Sequence, residues 1–254
     1  MGNILEIRNL SKSYGKTQAL KDVSFDVPMG KIVGVLGPNG SGKTTIIKTI
    51  MGLLSGYGGD VYIMPDTSGP EVPASNSIGF SCCSPMRPGF TANRVISYLP
   101  DISHIPSWLT VIQAISFFAD FYEDFDAIKA QEMIVGMKVP LHQKLKALSK
   151  GMQEKVHLSL VMSRRAKLYI LDEPIGAVDP ASREFIINTI LANFSEDAGI
   201  LLSTHIIADI EPILDVAIFL RDGEITLHDD ADKIREDNGS SLDQLFREVF
   251  KNVH

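Results

Sequence analysis

The chain has 254 residues, 44% of them hydrophobic, and a formal net charge of −7; this suits one large globular domain or two small ones and excludes a disordered chain. The acidic balance argues against broad nucleic-acid binding, which uses a basic face, although a local pocket can still be positive. The adjacent Cys82 and Cys83 make no disulfide framework and fit a reducing cytosol, no apolar run reaches the ~18 residues of a membrane span, and no signal peptide is expected at the N-terminus.

Residues 4–7 alternate apolar and polar and break at Lys12-Ser13-Tyr14-Gly15, which predicts an edge strand and a turn. Residues 19–27 alternate again, and Met29-Gly30 ends them. Residues 32–36 are continuously apolar, as in a strand buried on both faces. A glycine-rich loop follows, then a helix over about residues 43–53. Residues 64–93 hold five prolines, five serines and three glycines, and predict a long loop. A strand is expected over 94–99, closed by Pro100. Between 108 and 148 the spacing of Val111, Ala114, Ile115, Phe118, Ile134 and Met137 is helical, and Gly151 opens another helix. Residues 168–171 and 199–202 read as short buried strands with a helix between them. Residues 216–220 and 224–227 read as a hairpin across Arg221-Asp222-Gly223. In the tail, Leu242, Leu245, Phe246, Val249 and Phe250 form an apolar helical stripe, with Ser241 and Gln244 as its capping box. A helix docked on its own domain is expected there, rather than a membrane anchor.

Gly37-Pro38-Asn39-Gly40-Ser41-Gly42-Lys43-Thr44 matches the phosphate-loop pattern G-x-x-x-x-G-K-[ST], and Thr45 continues it. Glycines let the backbone curl so that successive N–H groups face phosphate oxygens, and the helix start adds its positive dipole end. Lys43 supplies a point charge to the β- and γ-phosphates, and the Thr44 hydroxyl can ligate Mg²⁺. Further on, Leu168-Tyr169-Ile170-Leu171-Asp172-Glu173 puts two carboxylates at the tip of an apolar strand, which a phosphate-loop fold sets beside the loop. Asp172 would hold Mg²⁺ through water and Glu173 would act as general base toward the attacking water.

Leu148-Ser149-Lys150-Gly151-Met152-Gln153 reads, by composition alone, as a helix start capped by Ser149. Together with the other two motifs and in this order, it resembles the signature sequence of ABC ATPases, and the resemblance runs over nearly the whole chain. It implies an α/β P-loop NTPase fold with a RecA-like core, an antiparallel β subdomain and a helical signature subdomain. The ATPase domain is expected over 1–230, with the helical subdomain at about 101–155, and a helical extension over 231–254. The resemblance further implies that Tyr14 stacks on adenine, that Asp179 lies in the loop crossing a dimer interface, and that His205 is the switch histidine at the γ-phosphate. Each ATP, with Mg²⁺, would lie between one subunit's phosphate loop and the other's Ser149–Gly151 signature. The pair is either a homodimer or a heterodimer with another ABC ATPase domain. The implied partner is an integral membrane permease that holds the protein at the cytoplasmic face, with residues 117–122 as a candidate contact, and nucleic acid is not expected to bind. The signature and tail look most like bacterial exporter-type ATPases, whereas a soluble ATPase of metal-cluster assembly is the alternative. Three departures stand out. Asp101 occupies the place of the family's usual glutamine and would be a shorter, charged magnesium ligand. Met152 replaces the signature glutamine, with Gln153 one place on. The loop over 64–93 is longer and richer in proline than usual.

Overall fold

In the computed structural model the described residues are 2–64, 87–89, 92–176 and 178–251. Most of the predicted loop over 64–93, with Cys82 and Cys83, lies outside them, as does Ala177.

Two sheets and eight α-helices make the described fold. The smaller sheet is antiparallel: β1 (Asn3–Tyr14) lies between β2 (Thr17–Pro28) and β4 (Gly58–Ile63). The larger contains β3 (Ile32–Leu36), β5 (Ile96–Leu99), β6 (Leu168–Asp172), β7 (Gly199–Thr204), β8 (Val216–Arg221) and β9 (Glu224–Asp230). Its order is β5-β6-β7-β3-β8-β9, parallel except for the final β8–β9 hairpin. The helices are α1 (Lys43–Ile50), α2 (Val111–Phe121), α3 (Ala127–Gly136), α4 (Lys150–Met162), α5 (Pro180–Asn193), α6 (Ile207–Ile210), α7 (Ala231–Asn238) and α8 (Leu242–Val249).

The continuous apolar runs are explained by two-sided burial. Every residue of β3, β6 and β7 is buried. Alternate side chains feed different cores, as the period of two requires. Val33, Val35, Leu168, Ile170 and Leu201 pack toward the antiparallel sheet and α1. Ile32, Leu36, Tyr169, Leu171, Ile200 and Leu202 pack the opposite way, among residues of α4, α5 and α8. A third core, around Val111, Ile115, Ile134, Leu148 and Leu160, belongs to α2, α3 and α4.

Several elements differ from the sequence reading. β1 is the middle strand of its sheet instead of the expected edge, and it continues to Tyr14, paired with Thr17, through most of the break expected at residues 12–15. Its alternation is broken by a register shift between Ile7 and Leu10, where Asn9 has φ 51°. β4 was not anticipated, because Gly58-Gly59 reads as loop. Gly59, at φ 83°, in fact packs its backbone against the Arg8 and Asn9 carbonyls, where a side chain would collide. α1 ends at Ile50, and β5 starts at Ile96 after a 3₁₀ turn over Ala92–Arg94. α7 falls within the helical extension expected over 231–254 but was not read as a separate helix, because it is short and mostly polar; the Asp230 carboxylate caps it by accepting from the N–H groups of Asp232 and Lys233.

The tail behaves as expected. Ser241 and Gln244 form a reciprocal capping box, and Leu242 is fully buried. Phe246 meets Phe219 of β8 edge-on at 5.6 Å. The Glu211 carboxylate accepts from the Leu242 and Asp243 N–H groups at 2.8 and 3.2 Å, favourable at a helix N-terminus.

His157, buried on α4, lies 3.0 Å through Nε2 from the Ser103 hydroxyl. Burial pushes its pKa down to about 4. An unfolded histidine titrates near ~6.5, so between these values the unfolded chain binds more protons and stability rises with pH. His157 should therefore contribute fully above pH ~6.5 and lose up to about 3 kcal/mol as pH falls toward 4. Urea titrations across this range should show a steeper acid loss for the native chain than for His157→Gln. Parallel curves would refute it.

Candidate active site

The C-terminal ends of β3, β6 and β7 converge on one group of side chains. After β3, the loop over 37–42 turns into α1. The Gly37 N–H donates to the Thr204 carbonyl at 3.3 Å, and the Gly223 N–H donates to the Ser41 carbonyl at 3.0 Å. The β7 end and the β8–β9 turn thus brace the loop from two sides. Gly42 caps α1 at φ 114°, and a Cβ there would come within 2.9 Å of the Ala19 carbonyl and 2.8 Å of Leu20. Only glycine accepts both the left-handed backbone and this approach of β2. Asn39, Gly40 and Thr44 are exposed, and Thr45 is half-buried. The Pro38 carbonyl accepts from the Ser41 N–H at 3.2 Å.

Two polar groups in the loop are unusual. The Ser41 hydroxyl is buried without a hydrogen-bond partner, which is costly unless a ligand supplies one. The buried Lys43 ammonium donates to the Gly37 and Pro38 carbonyls at 2.7 and 3.2 Å and lies 3.4 Å from Glu173 Oε1. Its charge is held by the loop that surrounds it.

Asp172, 2% exposed, accepts from the Ser203 hydroxyl. Burial raises its carboxyl pKa, with Glu173 and Asp101 adding to the rise, while the Ser203 bond and Lys43 oppose it. Glu173 adopts φ 51°, a left-handed backbone rare for non-glycine residues. Its Oε2 accepts from the Thr204 hydroxyl at 2.9 Å and lies 3.0 Å from His205 Nδ1. The His205 side chain is 41% exposed. The β6 tip lies beside the phosphate loop as expected, with Lys43 Nζ 3.4 Å from Glu173, although β7 runs between β6 and β3. The Lys43 side chain and the residues at the end of β7 close the gap. Ser203 and Thr204 were not singled out from sequence; the available signal was two hydroxyls ending an apolar strand before a histidine. Asp101, just past β5, is exposed and contributes to the raised pKa of Asp172. Tyr14, 48% exposed, ends β1, and Lys12 Nζ sits 5.3 Å from its ring centroid.

Ser149, Gly151 and Asp179 form a second group at the starts of α4 and α5. The Ser149 hydroxyl caps α4 by accepting from the Met152 N–H at 3.3 Å. Asp179 caps α5, accepting from the Ser182 N–H at 3.1 Å and the Ser182 hydroxyl at 2.8 Å, and these bonds lower its pKa. This capping role was missed, although Asp179-Pro180 is a readable helix-start signal. A Cβ on Gly151 would lie 3.6 Å from the Asp179 carboxylate, so the two starts abut. Met152 is exposed, whereas the Gln153 amide turns back to the Leu148 carbonyl at 3.1 Å.

The comparisons with known proteins agree with this geometry. The ABC transporter family model matches residues 20–176. The chain is 33% identical over 226 residues to the uncharacterized ABC transporter ATP-binding protein YdbJ of Bacillus subtilis (strain 168), covering 87% of this chain and 68% of that one. It is 27% identical to the lantibiotic transport ATP-binding protein SrtF of Streptococcus pyogenes, covering 96% of both. A solved ATP-binding subunit of an ABC transporter superposes with TM-score 0.77 at 29% identity, covering 97% of this chain and 99% of that chain. Fold, phosphate loop and relatives lead to one assignment: the chain belongs to the ABC transporter family, as an ATP-binding subunit with ATPase activity.

Proposed function

We propose that this chain hydrolyses Mg²⁺-ATP as one half of a head-to-tail ATPase pair and drives export through a separate membrane permease. The observation that carries the reading is the phosphate loop itself: a buried, unpartnered Ser41 hydroxyl beside a Lys43 ammonium that faces Glu173. Phosphate oxygens would supply the partner that the Ser41 hydroxyl lacks and would take Lys43 over from the loop carbonyls.

The residue roles derive from that fit. Lys43 exchanges loop carbonyls for phosphate oxygens, and Ser41 and the loop N–H groups donate beside it. Thr44 and Asp172 are the magnesium ligands, with Asp101 as a further carboxylate on that side. The metal, when bound, neutralises phosphate charge, and it offsets the burial cost that raises the Asp172 carboxyl. Glu173 orients the attacking water and takes its proton, while Thr204 and His205 hold its carboxylate. Tyr14 offers its exposed ring to adenine. Ser149, Gly151 and Asp179 serve the nucleotide of the other subunit. In this reading the ATPase domain covers 1–230, with its helical subdomain at about 101–155, and 231–254 is an extension.

The permease half of the proposal rests on an apolar surface. Of the rings over 117–122, Phe118 packs inward against Tyr122 and Phe125. Phe117 and Phe121 face outward with centroids 4.7 Å apart, and Ile102 and Trp108 are exposed too. Among the described residues no helix is long and apolar enough to cross a membrane. Attachment to the cytoplasmic face would therefore run through a partner. Transport is supported by the lantibiotic transport relative, and export is the direction that the resemblance of the signature and tail to exporter-type ATPases implies. Mild-detergent extraction and affinity purification of the full chain should recover an integral membrane protein, and Phe121→Asp should lose it. Recovery of soluble scaffold proteins in its place would favour metal-cluster assembly.

A further inference from the structure

Glu173 and His205 lie on different loops, after β6 and β7. A side chain outside both loops ties together the segments just downstream of them. Arg183, in the first turn of α5, donates through Nε to the Val178 carbonyl at 3.2 Å and through Nη1 to Asp209 Oδ2 at 2.8 Å. Val178 is buried on the segment leading from Glu173 to Asp179, and Asp209 is in α6, directly after His205. A ring of contacts results: Glu173, the segment to Val178, Arg183, Asp209, α6, His205 and back to Glu173. The planar fork of arginine bonds a carbonyl and a carboxylate in different directions, which a lysine ammonium on its flexible stem does poorly.

We infer that Arg183 is a positioning residue for hydrolysis, locking the loop after β6 to the helix after His205 so that Glu173 and His205 keep their mutual orientation. Arg183 bonds to none of the phosphate-loop residues, so its loss acts on turnover and not on nucleotide binding. The inference rests on the proposed role of Glu173 as general base.

The test compares the full-length chain with Arg183→Met, Arg183→Lys, Asp209→Asn, the Arg183→Met/Asp209→Asn double variant and Glu173→Gln. Phosphate release gives kcat and KM, a fluorescent ATP analogue gives affinity, and thermal unfolding gives Tm. A small misplacement of catalytic groups can cost up to ~10²-fold, so Arg183→Met should lower kcat by about tenfold or more. Affinity should stay within about twofold and Tm should stay near that of the native chain, because a partly exposed ion pair contributes little to stability. Arg183→Lys should fall between, and the double variant should be no slower than Arg183→Met alone. Wild-type kcat in Arg183→Met, a joint fall of kcat, affinity and Tm, or multiplying effects in the double variant would each overturn the inference. If Glu173→Gln keeps full turnover, the role of Glu173 fails, and this inference with it. If Glu173→Gln is slow and Arg183→Met is not, the positioning role alone fails.

Discussion

Glu173→Gln should bind ATP as the native chain does and hydrolyse it about 10²–10⁴-fold more slowly, the range for loss of a general base. The amide is nearly isosteric with the carboxylate. Its oxygen can still accept from the Thr204 hydroxyl and the His205 N–H, which the Glu173 carboxylate does at 2.9 and 3.4 Å. What it cannot do is take a proton from water. The change also removes the Glu173–Lys43 ion pair at 3.4 Å. Lys43 is then freer to meet phosphate, so affinity should hold or rise. Without the step that removes the γ-phosphate, the contacts joining two subunits should persist. Sizing chromatography with Mg²⁺-ATP should show a dimer for Glu173→Gln and a smaller species without nucleotide. A variant that stays monomeric with ATP would count against a shared nucleotide, and one that hydrolyses at the native rate would remove Glu173 from the chemistry.

What sequence revealed and what it hid divide along a physical line. The phosphate loop is one contiguous segment whose chemistry dictates its own residues, so residues 37–44 were legible without any fold. The parallel strands were legible because burial on both faces leaves apolar runs, as at Ile32–Leu36. β4 was hidden because its Gly59 answers a neighbouring backbone rather than a local preference. The course of β1 past Ile7 was hard to read because the alternation skips at Asn9. In the site, Asp172, Glu173 and His205 were found through motifs. Ser203, Thr204 and Arg183 were not, because hydroxyls and arginines are common and only the tertiary fold shows which carbonyl or carboxylate they meet. The shift of Gln153 by one place was visible in sequence, but its turn back to the Leu148 carbonyl was not.

Arg164→Met should cost about 3–5 kcal/mol of stability, the range for breaking a buried charged network from one side. Arg164 is 3% exposed just beyond α4. Its guanidinium donates to the Ile96 carbonyl, to the Arg94 carbonyl at 2.9 Å, and to both Asp124 oxygens at 3.1 and 3.2 Å. Its other face lies 3.8 Å from the Tyr122 ring centroid. Methionine fills the volume but offers no donor, so two carbonyls and a carboxylate lose their partner together. Asp124→Asn should cost less, because the amide oxygen still accepts and Asp124 is partly exposed. The double variant should fall short of the sum, since Arg164→Met has already broken the shared bonds. Urea unfolding should show the midpoint falling with an unchanged m-value. A loss below about 1 kcal/mol would mean that the network offsets only its own desolvation. The position of the network makes a large loss the expected result. Arg164 bonds the backbone leading into β5 and the loop between α2 and α3, and it comes just after the helix that begins at Ser149. Removing it loosens the joint between the strand that leads to Asp101 and the helix that carries the signature.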